Sequence, residues 1–143
     1  MTTTLLGNDY LAWVETAVAG TFVAIGGQGT LSETRSQTNI DTSDKTSNGY
    51  MTEAYGNIKV SYSLDIRAKL PDAAYTRMET QIAARTPFNF QVRKNGQAGV
   101  LADSIFTALM YGTIASRTFT KDGTVDVKIT LTLGAAPTID ALA

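Results

Sequence analysis

The chain has 143 residues, with 12 Lys and Arg against 13 Asp and Glu, and contains neither cysteine nor histidine. The missing cysteine excludes disulfides and thiolate metal sites, and the missing histidine removes the commonest general base and metal ligand. At a net charge of -1, with 17% charged residues, the chain favours association over mutual repulsion and offers no strong grip on phosphates.

This length suits one domain, residues 1–143, burying roughly two-thirds or more of its unfolded surface. No apolar run approaches the roughly 18 residues of a membrane helix, and Met1 to Gly7 lacks the basic-then-apolar pattern of a secretory signal. A soluble protein made in the cytoplasm is expected.

The first nine residues show no period. Tyr10 to Glu15 reads as a short strand or a short helix, and Thr21 to Ile25, rich in branched and aromatic residues, as a strand. Gly26-Gly27-Gln28-Gly29 punctuates the chain before a weak strand over Thr30 to Ser36. From Gln37 to Gly56 the pattern dissolves into Thr, Asn, Asp, Ser, Lys and Gly, which predicts a long polar loop. Loops above about 12 to 15 residues within a domain are generally functional or disordered. Tyr50, Met51 and Tyr55 near its end suit a surface that becomes covered by a partner.

Asn57 to Arg67 alternates without a break: Ile58, Val60, Tyr62, Leu64 and Ile66 against Lys59, Ser61, Ser63, Asp65 and Arg67. Side chains on a strand point to opposite faces in turn, so one face is dry and the other wet. Pro71 and Asp72 open a helix predicted over residues 71–85, with Pro71 at its first position and Tyr75, Met78 and Ile82 as its apolar stripe. Thr86-Pro87 ends it. Phe88, Phe90 and Val92 alternate on the next strand, and Asn95-Gly96 signals a hairpin turn. Ser104 to Tyr111 is ambiguous between strand and helix. Thr113 to Lys121 and Thr124 to Leu133 flank a second hairpin signal, Asp122-Gly123. Val125, Val127, Ile129, Leu131 and Leu133 alternate there with Asp126, Lys128, Thr130 and Thr132, and Gly134 to Ala143 is a tail. The expected fold is mainly β: an antiparallel sandwich or small barrel with one flanking helix.

Chemistry finds little support. The glycine cluster at 26–29 lacks the Lys-Ser/Thr end of a phosphate loop. Asp41, Asp44 and Glu53 do not follow the spacing of a calcium loop. Asp65 and Asp126 have basic neighbours in Arg67 and Lys128, which makes cross-strand charge pairing the plainer reading. No histidine is present to activate Ser61 or Ser63. No enzyme, cofactor or metal is expected. Arg93-Lys94 is the one basic pair, and the strand aromatics share parity with the aliphatics, so nucleic-acid readout is disfavoured. A carbohydrate-binding sandwich remains as an alternative from another class.

Val23 to Arg67 resembles phage major tail proteins, the tail tube proteins of long non-contractile-tailed phages, and their relatives in gene transfer agent particles. The resemblance rests on Ala24-Ile25-Gly26-Gly27-Gln28 with Thr30-Leu31-Ser32, on Ile40 to Lys45, on Asn48-Gly49-Tyr50, and on the strand Ile58 to Asp65. A proline-led helix and two closing strands follow in the family's order. Two departures stand out: Tyr50 replaces a usual Trp, and Lys59 and Arg67 bring basic charge around the central strand.

The resemblance implies a structural protein of a phage-like tail, synthesised in a bacterial host. Its hexameric rings stack into a hollow tube, and strands of each subunit join an inner β-barrel through which DNA passes without specific binding. Tail terminator, distal tail or baseplate, and tape-measure proteins are the implied partners. On this view Lys59, Ser61, Ser63, Asp65, Asp126, Lys128, Thr130 and Thr132 face the lumen. Asp41, Asp44, Lys45, Tyr50, Met51 and Tyr55 make the contact between rings or subunits. The alternatives are bulk solvent for the first set and a mobile loop for the second. A tail terminator, connector or capsid decoration protein is the nearest competing function.

Overall fold

A computed structural model describes residues 3–142. In chain order its elements are β1 (Leu11–Glu15), β2 (Phe22–Ala24), β3 (Gln28–Asp41), β4 (Glu53–Arg67), α1 (Ala73–Ala84), β5 (Phe88–Arg93), β6 (Ser104–Phe119), β7 (Val125–Leu133) and β8 (Ile139–Asp140). The strands form one antiparallel sheet in the order β2-β1-β5-β6-β7-β4-β3, with β8 beside the start of β6. The fold is mainly β, as expected, but the sheet does not close into a barrel.

The alternation of β4 decides the register of the central strands. Val60, Tyr62, Leu64 and Ile66 are buried, and Leu131, Ile129 and Val127 of β7 lie opposite the last three of them. Burying one such side chain is worth about 2 kcal/mol, whereas an exposed cross-strand pair contributes a few tenths to 1. Slipping β4 by one residue would turn all four into water, so the core fixes the parity. Ile58 shares it but is 54% exposed, because it lies beyond the end of the core.

The sheet coils so that its two halves face each other. Tyr62 on β4 packs on Phe90 of β5 and Phe106 of β6, at ring-centroid distances of 5.4 Å and 4.9 Å, although β6 and β7 separate β4 from β5 in the sheet. The resulting sandwich-like core draws on Ala12, Val14, Val92, Ala108 and Met110, with Ala74, Tyr75 and Met78 of α1 closing one side. Asp72 caps α1, accepting from Ala74 N, and also accepts from Gly26 N at 2.9 Å, which ties the helix to the β2–β3 junction.

Several expectations are corrected. The segment 37–56 is not one long loop: β3 continues to Asp41 and β4 begins at Glu53, so only Thr42 to Thr52 connects them. Backbone pairing can hold a polar strand without an apolar face, and so the composition of this segment concealed it. The helix spans Ala73–Ala84 with Asp72 as its cap, so Pro71 precedes the helix instead of opening it. Asn95 and Gly96 do adopt left-handed backbone, but they begin a longer connection with two short turns, at Gly96–Ala98 and Leu101–Asp103, before β6. Of Tyr10 to Glu15, Leu11 to Glu15 form a strand, and Ser104 to Tyr111 joins Thr113 to Phe119 in a single strand.

Arg93 differs too: it is buried, with its guanidinium 4.4 Å from the centre of the Trp13 ring and its Nε donating to Gln91 Oε1 at 2.8 Å. Burial holds its pKa below the ordinary arginine value. It is a structural cation and not half of a surface basic pair.

Candidate functional site

The polar side of β4 and β7 is continuous. Ser61 stands opposite Thr132, Ser63 opposite Thr130, Asp65 opposite Lys128 and Arg67 opposite Asp126. Seven of the eight residues expected on the wet face therefore lie side by side. The eighth, Lys59, stands beyond the last β7 partner, opposite Ser36 of β3. The sheet extends the same face on both flanks. Ser32 and Thr34 of β3 continue it beyond Ser63 and Ser61, and Tyr111, Thr113, Ser116 and Thr118 of β6 continue it beyond β7.

These flanking residues were missed in the sequence. In β6 a register shift between Ile114 and Ser116 breaks the period, so counting by two from Thr113 reaches the wrong face.

Charges on this face are opposed across strands. Arg67 Nε lies 3.7 Å from Asp126 Oδ1, with both side chains more than half exposed. Asp65 and Lys128 are direct cross-strand neighbours. Exposed pairs of this kind add little stability, about 0–1 kcal/mol. Their effect is to leave a hydrophilic surface on which, among the described residues, Lys59 is the one charge without an opposed partner across the strands. At its lower end, near the β6–β7 turn, an open trough of about 650 Å³ is lined by Gly29, Asp65, Arg67, Ser116, Asp126 and Lys128. Its mixed charges match no single ligand, and no group of three acids able to hold a metal occurs among the described residues.

Both flanks of this layer are open. Among the described residues β3 pairs only with β4. β5 stops at Phe88, opposite Met110, so Tyr111 to Phe119 of β6 pair with β7 alone. Two rows of unpaired N–H and C=O groups are thus presented, one on each side of a four-stranded layer, β6-β7-β4-β3.

The arm is the second feature. Beyond Lys59, β4 pairs only with β3, and the two run on as a ribbon to Asp41 and Glu53. A bulge at Gly56 bends it: a Cβ there would lie 2.2 Å from the Thr38 carbonyl oxygen, so glycine is required by close approach. The connection is tightly bonded: Thr42 N donates to Thr52 O at 2.9 Å, and Asp44 caps a short turn, Lys45–Ser47, in a reciprocal capping box.

Hydrogen bonds from the Thr46 hydroxyl and N–H, and more weakly from Ser47, hold the Asp44 carboxyl below the usual range; a backbone bond from Ser43 does the same for Asp41. Tyr50, Met51 and Tyr55 are 75%, 78% and 87% exposed. The six residues expected at a contact surface thus sit on one projecting ribbon and its tip.

A model of the family described as phage tail tube protein matches residues 4–138. Among solved structures, the chain is similar to the tail of an empty gene transfer agent particle with C6 symmetry, at a TM-score of 0.79 and 18% identity, covering 96% of this chain and 100% of that one. It is similar to the SPP1 tail tube at a TM-score of 0.68 and 14% identity, covering 97% of this chain and 81% of that one. A sheath–tube complex of an extracellular contractile injection system gives a TM-score of 0.61 at 13% identity, covering 97% and 93%. No curated protein sequence matches.

Proposed function

Because this chain belongs to the phage tail tube protein family, we propose that six copies close into a ring, that rings stack into a hollow tube, and that the polar face of β4 and β7 lines the channel. The role is structural and not catalytic. DNA passes through the channel without being read, and tail terminator, baseplate and tape-measure proteins meet the ends and the interior of the tube.

One observation carries this reading: a four-stranded layer that is polar on one side, packed on the other and unpaired along both edges. A long free edge is an aggregation liability unless a partner consumes it. Pairing the β3 edge of one copy with the free β6 edge of the next is heterologous, and such contacts close into rings when the rotation permits. Four strands from each of six copies make roughly 24, well above the 16–18 at which barrels already enclose an aqueous channel. The inner wall would then be Ser and Thr with charges that cancel except at Lys59, a surface that grips a polyanion only weakly. The C6 symmetry of the gene transfer agent tail supports the ring order.

The test uses cysteine substitutions at Ser61 and Thr130 in a chain that has no cysteine of its own. Electron microscopy of concentrated protein should reveal long hollow tubes. In those tubes a bulky maleimide should label neither position readily, while both label in the dissociated protein. Ready labelling of intact tubes removes the lumen assignment. Closed rings that never stack indicate a terminator or connector instead.

A further inference from the structure

The four-stranded layer carries unpartnered apolar side chains at both ends. At the upper end, beyond the last β7 pair, the arm exposes Ile40, Tyr50, Met51 and Tyr55. At the lower end, Phe119 and Val125 face each other across the mouth of the β6–β7 hairpin. Phe119 is 74% exposed, whereas Phe88, Phe90 and Phe106 are almost completely buried. Clustered exposed apolar groups of this kind mark interaction surfaces.

Their charged surroundings are opposite in sign. The arm tip carries Asp41, Asp44 and Glu53 against Lys45. Around the lower hairpin stand Arg117, Lys121 and Lys69 against Asp122 and Asp126, with Arg117 3.9 Å from Glu79 of α1 and Asp126 3.7 Å from Arg67. Lys69 and Lys121 have no acidic partner within ion-pair distance among the described residues.

The lengths also agree. From Arg67–Asp126 to Ser61–Thr132 the paired layer rises by about 20 Å, and the ribbon from Lys59 to Glu53 projects by a similar distance. An arm of this reach leaves its own layer and enters the next one.

We propose that the arm tip of one copy docks on the β6–β7 hairpin of a second copy in the adjoining ring. Tyr50, Met51 and Tyr55 cover Phe119 and Val125, and Asp41, Asp44 and Glu53 face Lys69 and Lys121. The proposal rests on the tube assembly inferred above and supplies the surface that receives the arm. The contact is head-to-tail, because the two patches lie at opposite ends of one layer, and head-to-tail contacts along an axis make open filaments. Each copy uses each patch once, so no patch inside the tube is left bare.

The experiment pairs Thr52→Cys with Thr120→Cys, exposed neighbours of Met51 and Phe119 that leave the apolar contact in place, in the otherwise cysteine-free chain. Assembled tubes of this double variant, mildly oxidised, should give a ladder of covalent multimers on a non-reducing gel, while each single variant gives none. In parallel, Phe119→Ser should raise the critical concentration for tubes roughly tenfold or more, with monomer unfolding unchanged. Lys121→Glu should weaken assembly, and adding Glu53→Lys, outside the capped turn, should restore it. Tubes from the unaltered chain with no ladder and no effect of Phe119→Ser overturn this docking and leave the tube assembly standing. Failure of the unaltered chain to form any ordered polymer at high concentration overturns the assembly, and the docking with it.

Discussion

The side-chain amide of Gln28 does for Ala12 what a neighbouring strand would do. Its Oε1 accepts from Ala12 N at 2.9 Å, its Nε2 donates to Ala12 O at 3.0 Å, and the same Nε2 donates to Ile25 O at 2.8 Å. β1 and β3 are not partners in the sheet, so this one side chain joins the two halves of the sandwich where no ladder does. Gln28→Ala leaves a part-buried N–H unpaired and should cost about 2–4 kcal/mol in urea unfolding. Gln28→Glu should cost more at neutral pH, because a carboxylate cannot donate to two carbonyls and repels both. Lowering the pH below about 5 should narrow the gap, since a protonated acid regains one donor. Equal costs at all pH values would remove the role given to Nε2.

Two glycines separate the fold from the arm. Gly27 has φ +68°, and a Cβ on it would lie 2.0 Å from the Arg67 carbonyl oxygen. Neither constraint can relax without moving β4, so Gly27→Ala should destabilise by about 3 kcal/mol or more, or yield insoluble chain. Gly56 meets the Thr38 carbonyl at a similar distance, but in the projecting ribbon. Gly56→Ala should change unfolding by less than about 1 kcal/mol, because few buried contacts depend on it. Its effect should fall on tube formation instead, read by sedimentation against monomer melting. A large loss of stability with normal tubes would invert this assignment.

The sequence made the fold legible wherever burial imposed a period. β4 and β7 alternate because one side of each is dry, and the stripe of Tyr75, Met78 and Ile82 follows from packing α1 on the core. The seven paired polar-face residues came with that parity at no further cost. The distal halves of β3 and β4 stayed hidden because no core touches them, so neither face selects apolar residues. The burial of Arg93 is hidden for the converse reason: its guanidinium lies over Trp13 and Phe22, which no local pattern in Phe88 to Arg93 announces. The open flanks at β3 and at Tyr111 to Phe119 are properties of sheet order, and periodicity carries none.

Tyr62 links stability to alkaline pH. Its hydroxyl donates to Glu33 Oε2 at 2.9 Å, and burial, then Glu33, raises its pKa well above the ordinary tyrosine value. The folded pKa lies above the unfolded one. Stability from this group is therefore fully present below about pH 10 and falls as the pH rises further, at up to about 1.4 kcal/mol per pH unit. Tyr62→Phe should cost about 1 kcal/mol near neutrality through the lost hydrogen bond, and should flatten the alkaline limb of a stability–pH curve. Tyr75, raised chiefly by burial, should keep part of the slope. An unchanged alkaline limb in the Phe variant would place the titration elsewhere.

The arm turn responds at the acid end. Asp44 is held below the usual carboxylate range first by the Thr46 hydroxyl and then by the Thr46 N–H. The order it confers is present above the unfolded carboxylate value of about 3.9 and is lost as the pH falls through the lower folded value. The group is fully exposed, so the effect is local. The Thr46 amide should titrate in NMR spectra at a pH below that of a free aspartate, and Asp44→Ala should abolish the transition while leaving the β4 amides unmoved. A Thr46 amide that titrates like a free aspartate would mean the cap does not form in solution.

Deleting Thr42 to Ser47 tests the arm as a whole. The deletion removes the capped turn with Lys45 and one of the three tip acids, Asp44, but none of the buried residues of β3 or β4. The monomer should remain folded, with its unfolding midpoint within about 1 kcal/mol of the unaltered chain, because loop contacts contribute little to a core they do not touch. In the proposed assembly the ring closes through the β3 and β6 edges, which the deletion leaves in place, so isolated rings should persist while long tubes disappear. Microscopy of the deleted protein at tube-forming concentration separates the outcomes. Rings without tubes place the arm between rings, monomers alone place it within the ring, and tubes of normal length end the case for the arm as a contact.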